Sequence, residues 1–362
     1  MKKNLLAVIS AATMLTVSLT ACGGNSAPSA APTPSASSGQ GETTTAAPAA
    51  SGQSEAVSSS EEQYVLNLSV QDAETSVKTI ALRKLADEVL EESNGRLKIE
   101  VIASGMLGSN ADVLEQARMG DNSCVVIDAG RFTDYVPDMM IFDAPYLFEN
   151  YEQAIEFTNT DIFKGWMEQI EETGIHLSCW NVFEGARNIW ASSPMNTIED
   201  LKGLKIRTGD SPVWQSILTN MGCVPVVMSG SEVYQGISQK VIDGAEGQTV
   251  AAYASKTGEV APYVYKTEHF YMICGMAVGT KWYESLPDDL KTLFDDAMYR
   301  AGEYVTQTTL DNETQIEEKM KAEGITVVEP DKETLKAATD PLYDEFPGFR
   351  ELKDQIQASL KK

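Results

Sequence analysis

"GARNIWASSPMNTIEDLKGLKIRTGDSPVWQSILTNMGCVPVVMSGSEVYQGISQKVIDGAEGQTV" occupies residues 185–250 and decides the fold. Two short apolar runs in it, 205–207 and 224–228, are typical of strands. Two stretches with helical spacing of apolar residues, 214–220 and 232–239, alternate with them. Polar turns separate the four pieces, so the pattern predicts a βαβα succession of the α/β class.

Two arginines in this stretch, Arg187 and Arg207, lie at the ends of strand-like runs. In open α/β sheets the ends of strands line the ligand crevice. A guanidinium is planar, stays charged and presents two parallel donors that match a carboxylate. The pair therefore favours a site for a small organic acid. On pattern alone, a solvated surface arginine is the alternative at each position.

Several motifs follow one another in a fixed order here. They are Gly185-Ala186-Arg187, "DLKGLKIR" at 200–207, "SEVY" at 231–234 and "DGAEG" at 243–247. This succession resembles the solute-binding proteins of tripartite ATP-independent periplasmic (TRAP) transporters, which are extracytoplasmic receptors for organic acids such as dicarboxylates and sialic acid. The resemblance implies that Arg207 grips the ligand carboxylate with two nitrogens and that Arg187 assists.

Asp128 and Arg131, in "DAGRF" after an apolar run at 124–127, are further ligand-binding candidates. In the family, an acidic residue and an arginine at this place approach the ligand. From the pattern alone they would form a solvated salt bridge. Gln71, at the end of the first predicted strand, is a third candidate of this kind.

The chain departs from the family at two positions. Gly230 replaces an aromatic residue before "SEVY", and Gly247 replaces the asparagine of "DGQEN". Gln248 follows and is a candidate to supply the missing amide. Two glycines at these places would widen the pocket or change which edge of the ligand is held. Trp180 and Trp190 flank Arg187, and core packing is the alternative to ligand stacking for both.

The resemblance implies an α/β, two-lobed fold like that of periplasmic binding proteins. Two doubly wound domains would be joined by a hinge and a long connecting helix, with lobe I at 64–184 plus 273–312 and lobe II at 185–272 plus 313–362. Strands are predicted at 175–181, 263–269 and 272–279. A helical pattern at 288–321 would extend about 50 Å, and two helices with a turn near Gly302 are the alternative.

The N-terminus predicts export. Lys2 and Lys3 precede an apolar run at 5–19, so residues 1–21 form a lipoprotein signal peptide too short to span a membrane as an ordinary helix. Leu19-Thr20-Ala21-Cys22 resembles a lipobox, which implies a lipid on Cys22 and an extracytoplasmic, membrane-anchored protein. Ordinary cleavage with a free Cys22 thiol is the alternative. Residues 22–62, rich in Ser, Ala, Thr and Pro, predict a disordered tether.

Composition narrows the partners. The formal net charge of −25 argues against nucleic acid and anionic lipid surfaces. Charges more than about 8 Å from a site are largely screened at physiological salt, so local arginines decide anion binding. The expected partners are the organic acid and TRAP membrane permease subunits, with the protein itself a monomer.

Catalytic and metal motifs are missing from the sequence. Four cysteines beyond Cys22 lie in apolar runs without C-x-x-C spacing, so buried thiols are expected, with one disulfide as the alternative. The two histidines have no nearby ligand partners, so neither a metal nor another cofactor is predicted. The protein is not expected to be an enzyme. An exported hydrolase and a ligand-sensing receptor for a membrane kinase are the alternatives.

Overall fold

The computed structural model describes residues 63–361, and within them ten strands form one mixed sheet. The strands are β1 Tyr64–Ser69, β2 Leu97–Ile102, β3 Ser123–Asp128, β4 Ile175–Ala191, β5 Lys205–Thr208, β6 Val224–Val227, β7 Gly244–Gln248, β8 Tyr263–Tyr265, β9 Tyr271–Gly279 and β10 Thr326–Val328. The signal peptide at 1–21, Cys22 and the tether at 22–62 lie outside the described residues.

The α-helices connect these strands and cover the sheet. They are α1 Val77–Glu92, α2 Asn110–Met119, α3 Tyr151–Phe157, α4 Asp161–Glu172, α5 Pro212–Asn220, α6 Val233–Ser238, α7 Thr249–Ala254, α8 Thr280–Tyr283, α9 Asp288–Ala322, α10 Lys332–Thr339, α11 Leu342–Glu345 and α12 Phe349–Ser359. No helix of the described part combines the length and the apolar character that a membrane crossing requires.

The sheet consists of two parallel groups joined by antiparallel strands. Its order is β2-β1-β3-β9-β4-β7-β5-β6, and β8 pairs with both β4 and β10. Strands β1, β2 and β3 are parallel, as are β5, β6 and β7. Strand β4 is antiparallel to β9 over its first part and to β7 and β8 over its last part. It therefore runs through both groups, and the α/β class is confirmed.

Strand β4 corrects one prediction. The strand predicted at 175–181 continues to Ala191, because β7, β8 and β9 supply partners along its whole length. Gly185 interrupts its regular register at φ 112°. A Cβ there would lie 2.8 Å from a carboxylate oxygen of Glu313, so glycine fits both the backbone angle and the space.

Strand β8 corrects a second strand prediction. The strand predicted at 263–269 ends at Tyr265. The chain then turns so that the backbone of Arg187 exchanges hydrogen bonds with two following residues, Phe270 and His269, at 3.0 and 3.2 Å. Backbone groups after Tyr265 are thereby satisfied without continuing the ladder.

Helix α9 is continuous over 35 residues and does not turn at Gly302, so the two-helix alternative is wrong. It packs mainly on β4 and α1. A Cβ on Gly302 would lie 1.9 Å from the side-chain oxygen of Asn181 in β4. The glycine thus permits close helix–sheet packing rather than a break.

A large hydrophobic core extends under the sheet, and a smaller one lies beside it. The larger contains an aromatic group with several edge-to-face contacts: Phe142, Phe157, Phe163 and Trp166. The smaller contains Trp190, Val233, Ile316 and Met320. The prediction of buried free thiols is confirmed for Cys124, Cys179, Cys223 and Cys274.

Candidate functional site

Strand β7 is fixed against β4 and β5 by its Asp-Gly start. The Asp243 carboxylate accepts a hydrogen bond from the backbone N–H of Lys205 at 2.8 Å. A Cβ on Gly244 would lie 2.0 Å from the backbone oxygen of Trp190, so only glycine permits this approach of the two strands. The following acidic residue, Glu246, is thereby held between β4 and β5.

Arg187 and Glu246 form a buried ion pair, with side chains 5% and 1% exposed. The Nε and Nη2 groups of Arg187 each donate to one carboxylate oxygen of Glu246 at 2.6 Å. The Thr208 hydroxyl donates to Glu246 at 2.8 Å, and Arg187 Nη1 donates to Gln248 at 3.3 Å. All three nitrogens of Arg187 therefore have partners, in the bidentate geometry that arginine and carboxylate favour.

The charges of this cluster are held by their neighbours. Burial acts to raise the pKa of Glu246, but Arg187 and His269 outweigh it and keep that pKa well below its usual range. Burial lowers the pKa of His269, whose Nε2 lies 3.8 Å from Glu246 and whose Nδ1 lies 2.8 Å from the Thr267 hydroxyl. Glu246 is thus ionised and His269 neutral at pH 7.

Trp214 covers one face of Arg187. The guanidinium carbon lies 4.3 Å from the centroid of the Trp214 ring, a cation–π contact. Trp214 lies in the first turn of helix α5, where the Ser211 side chain accepts a hydrogen bond from the backbone N–H of Trp214 at 3.4 Å. The indole N–H donates to Asp143 at 2.9 Å. Arg187 is therefore enclosed on its edges and on one face.

Arg207 differs from Arg187 because its fork is free. Its Nε donates to the backbone oxygen of Met228 at 2.8 Å, and within residues 63–361 no carboxylate pairs with it. Burial lowers the pKa of Arg207 and repulsion by Arg187 adds to the lowering, while Glu246 opposes it. Guanidinium stays charged despite such shifts. The half-buried Arg207 therefore carries a charge without a carboxylate in ion-pair contact among the described residues.

A cavity of about 270 Å³, called here the arginine cavity, lies beside this fork. Five predicted site residues line it: Arg187, Arg207, Gly230, Gly247 and Gln248. The remaining lining residues are Trp190, Trp214, Val233, Ala245, Glu246, Ala251, Ala252, Ser255 and Thr257. The structure thus brings together five side chains or backbone positions that lie up to 61 residues apart.

Both glycines leave space in this cavity. A Cβ on Gly230 would lie 3.7 Å from Nη2 of Arg207, so a larger side chain there would reach the fork. Around the Cβ position of Gly247 there is no atom within 4 Å. The predicted widening of the pocket is therefore consistent with the space at both positions.

Asp128 and Arg131 lie next to the arginine cavity rather than in its wall. Arg131 Nε is 3.5 Å from Asp128, and the Cβ position of Gly130 lies 3.1 and 3.5 Å from the carboxylates of Asp128 and Asp143. Burial raises the pKa of Asp143 to about 8, and Asp128 adds to the rise. Through its bond with Trp214, Asp143 connects this acidic pair to the cavity.

Gln71 lies apart from both groups. Its side-chain amide donates to the backbone oxygen of Gly108 at 2.9 Å, in an exposed position. Its neighbour Asp72 lines a second cavity of about 530 Å³, called here the cleft cavity, which shares Gln248 with the arginine cavity. A ligand-binding role for Gln71 stays a prediction.

A cavity of about 540 Å³ elsewhere contains four lysines but is a weaker candidate. Three of the four are paired with acids: Lys332 with Glu268, Lys336 with Glu333, and Lys353 with Asp340. Neutralised lysines offer little to an anionic ligand.

Three residues of the site were not predicted from the sequence: Trp214, Glu246 and Asp143. Trp214 has the spacing of an ordinary core position in a helix. Glu246 lies inside the "DGAEG" motif, and its place in that motif was the signal that the sequence offered. Asp143 has no signal in the sequence, because its contacts depend on a segment about 70 residues later.

Comparisons with known proteins place the geometry in context. Residues 68–348 match the family DctP, described as bacterial extracellular solute-binding protein, family 7. The chain is 27% identical over 281 residues to the sialic acid-binding periplasmic protein SiaP of Vibrio cholerae, covering 78% of this chain and 88% of that one. It is 27% identical over 267 residues to the C4-dicarboxylate-binding periplasmic protein DctP of Rhodobacter capsulatus, covering 72% and 80%.

A solved structure has the same fold. The TRAP periplasmic solute-binding protein of Ochrobactrum anthropi with bound L-fuconate superposes with a TM-score of 0.77 at 29% identity, covering 82% of this chain and 99% of that one. The α/β sheet with two parallel groups is therefore the fold of TRAP periplasmic solute-binding proteins.

Proposed function

This chain belongs to family 7 of the bacterial extracellular solute-binding proteins, the DctP family, and from that membership we propose that it captures a small organic acid in the arginine cavity. Its relatives are described as binding proteins for sialic acid and C4-dicarboxylates, and the similar solved structure contains a sugar acid. A carboxylate-bearing solute is common to all three.

The unpaired fork of Arg207 is the observation that carries the proposal. A half-buried guanidinium without a counter-ion is unfavourable until an anion enters. Nη1 and Nη2 are available, while Nε is fixed by Met228 at 2.8 Å. Hydrogen bonds from these two nitrogens to a carboxylate would offset the free energy lost when the Arg207 cation is partly desolvated. Arg187 orients the wall of the site through its buried ion pair with Glu246.

The finer part of the proposal concerns transport. Lipidation at Cys22 would hold the protein outside the cytoplasmic membrane, and residues 22–62 would let the folded part reach a TRAP permease. The two lobes, 64–184 plus 273–312 and 185–272 plus 313–362, would close over the acid. The hydrogen bond between Asp143 and Trp214 already joins a residue of each proposed lobe. Closure is a state that a permease can recognise.

A thermal-shift screen tests the binding function. Purified residues 63–362 would be heated with dicarboxylates, keto acids, uronates, sialic acid and apolar monocarboxylates. An acid present at about 100 times its dissociation constant adds about 2.7 kcal/mol to the free energy of unfolding, enough to raise the melting temperature measurably. At least one acid is expected to do so.

The screen needs a variant that separates specific binding from salt effects. Arg207→Ala should abolish the rise in melting temperature with that acid. Arg300→Ala should keep it, since Arg300 lies on the exposed face of α9 and pairs with Glu92 of α1. Equal shifts in both variants would contradict the proposed site.

A further inference from the structure

The charges that line the arginine cavity leave room for one negative charge. Arg187 and Glu246 neutralise each other through two bonds of 2.6 Å. Arg207 has no carboxylate partner among residues 63–361. The cavity therefore presents one uncompensated cation, which a single carboxylate would balance.

The neighbouring cleft cavity does not provide for a second carboxylate. Lys78 lies 2.7 Å from Asp72 and is also paired with Glu184, so these two carboxylates neutralise its charge. Glu184 lies 3.4 Å from the amide nitrogen of Gln248, at the boundary of the two cavities. A second anionic group extending in this direction would meet Glu184 first. The other lysine of the cleft cavity, Lys319, is exposed, so solvent screens its charge.

Part of the wall of the arginine cavity is apolar. Trp190, Val233, Ala245, Ala251 and Ala252 contribute to it, and Gly247 leaves its space open. Trp190 and Val233 also belong to the smaller hydrophobic core, so this wall is fixed by packing. Such a surface favours an apolar ligand body over one covered with hydroxyl groups.

The buried indole N–H of Trp190 has no hydrogen-bond partner among the described residues, and few other polar groups of the cavity wall are free to bind ligand hydroxyls. The Gln248 amide already accepts from Arg187 and donates to Glu184. Ser255 and Thr257 are the remaining hydroxyl side chains in the cavity wall. A sugar acid would bury several hydroxyls without partners, and unpaired buried hydroxyls are costly.

We infer that the preferred ligand is a small monocarboxylate with a mainly apolar, branched or aromatic body. Arg207 holds its carboxylate, and its body lies against Trp190, Val233 and Gly247. The inference rests on the proposed function and names its substrate class. A volume of about 270 Å³ suits such a ligand, since it lies at the small end of ligand pockets.

Calorimetric titration with five matched probes tests the substrate class on the purified protein. Phenylacetate and 4-methylpentanoate supply one carboxylate and an apolar body, succinate supplies two carboxylates, and D-galacturonate supplies hydroxyls. At least one of the first two should bind about tenfold more tightly than succinate and galacturonate. Phenylacetamide, which lacks the charge, should bind more weakly than phenylacetate by a similar factor.

The outcomes separate the two proposals. Tighter binding of succinate or galacturonate, lost in Arg207→Ala, would overturn the substrate class and leave the binding function intact. Equal binding of phenylacetamide and phenylacetate would overturn the role of Arg207. Binding of none of the acids in this titration and in the wider screen would overturn both proposals.

A pair of glycine variants tests where the ligand body lies. Gly247→Asn places a polar side chain in the open space of the cavity, and Gly165→Asn does so on α4, where the space around Cβ is also open. Gly247→Asn should weaken binding of the better monocarboxylate by about fivefold or more, and Gly165→Asn should leave it within about twofold. Melting temperatures without ligand confirm that both variants fold. Unchanged affinity in folded Gly247→Asn would contradict the placement of the ligand body.

Discussion

Arg187 and Arg207 are 20 residues apart in the sequence but have different electrostatic roles. Arg187 is enclosed by Glu246, Gln248 and Trp214, whereas Arg207 is fixed by one bond to the backbone of Met228. A guanidinium whose hydrogen-bonding edges are already filled positions other groups, while one with a free fork can bind. The binding energy is therefore expected to depend mainly on Arg207.

Substitution of Arg207 should show this dependence. Arg207→Ala is expected to cost about 2 to 5 kcal/mol of binding free energy, the range for a desolvated charge pair that loses one member. Arg207→Lys keeps the charge but loses the fork, so a loss of similar size would assign the effect to geometry. Isothermal titration with the acid found in the screen measures both. Affinity within about twofold of wild type in Arg207→Ala would exclude Arg207 from the site.

Asp143 should make stability depend on pH. Its pKa is raised to about 8 by burial, with Asp128 adding to the rise, whereas an unfolded aspartate has a pKa of about 3.9. Between these values the folded state binds more protons than the unfolded state. This contribution to the unfolding free energy is therefore complete below about pH 4 and is lost as pH rises through about 8.

Urea unfolding from pH 4 to 9 measures the contribution of Asp143. Asp143→Asn should remove this downward slope, while Asp138→Asn, an exposed residue of the same segment, should retain it. Indistinguishable slopes in wild type and Asp143→Asn would show that Asp143 is ionised in the folded protein.

Among the secondary-structure elements, those with a local signal could be predicted from sequence. The strand predicted at 272–279 is observed as Tyr271–Gly279, and the helix predicted at 214–220 lies within Pro212–Asn220. Their signal is the apolar periodicity of the element itself. The full length of β4 was not predicted, because it depends on three partner strands from later in the chain.

The site follows the same division. Local motifs identified Arg207, Gly230 and Gly247, and the structure places them in one cavity. The enclosure of Arg187 by Trp214 and Asp143 could not be predicted, because both contacts depend on how distant segments pack. The roles of Asp128, Arg131 and Gln71 in ligand binding stay predictions.

The contact between α9 and β4 depends on the absence of a side chain at Gly302. Gly302→Ala improves helix propensity but places a Cβ 1.9 Å from the side-chain oxygen of Asn181. Overpacking of this kind typically costs about 1 to 3 kcal/mol. Gly165→Ala on α4 has open space and should instead stabilise by up to about 1 kcal/mol. Urea unfolding measures the stability of both variants. If Gly302→Ala were as stable as Gly165→Ala, close packing of α9 on β4 at Gly302 would be contradicted.

For the molecule as a whole, a net charge of −25 coexists with the proposed anion site. The two are compatible because solvent screens the surface charges, whereas the cavity encloses its own arginines. The alternating parallel and antiparallel strands bring the arginine-bearing β4 and β5 to either side of β7. Site and fold are thus consequences of one arrangement of strands.

Lipid anchoring is tested on the full-length chain in its bacterial host. Wild type should carry a diacylglycerol on Cys22 and partition with membranes, because two acyl chains give stable anchoring. Cys22→Ser should be released in soluble form with its binding affinity unchanged, since the cavity lies in residues 187–257. Mass spectrometry of the mature N-terminus decides the point, and an unmodified Cys22 in wild type would favour ordinary cleavage.

A crystal structure of the protein with the acid found in the screen would show whether Arg207 holds the ligand carboxylate. Nη1 and Nη2 of Arg207 are expected to contact the two oxygens of one carboxylate at about 2.7 to 2.9 Å. An Arg207 side chain that extends into solvent, with the acid bound elsewhere, would contradict this role.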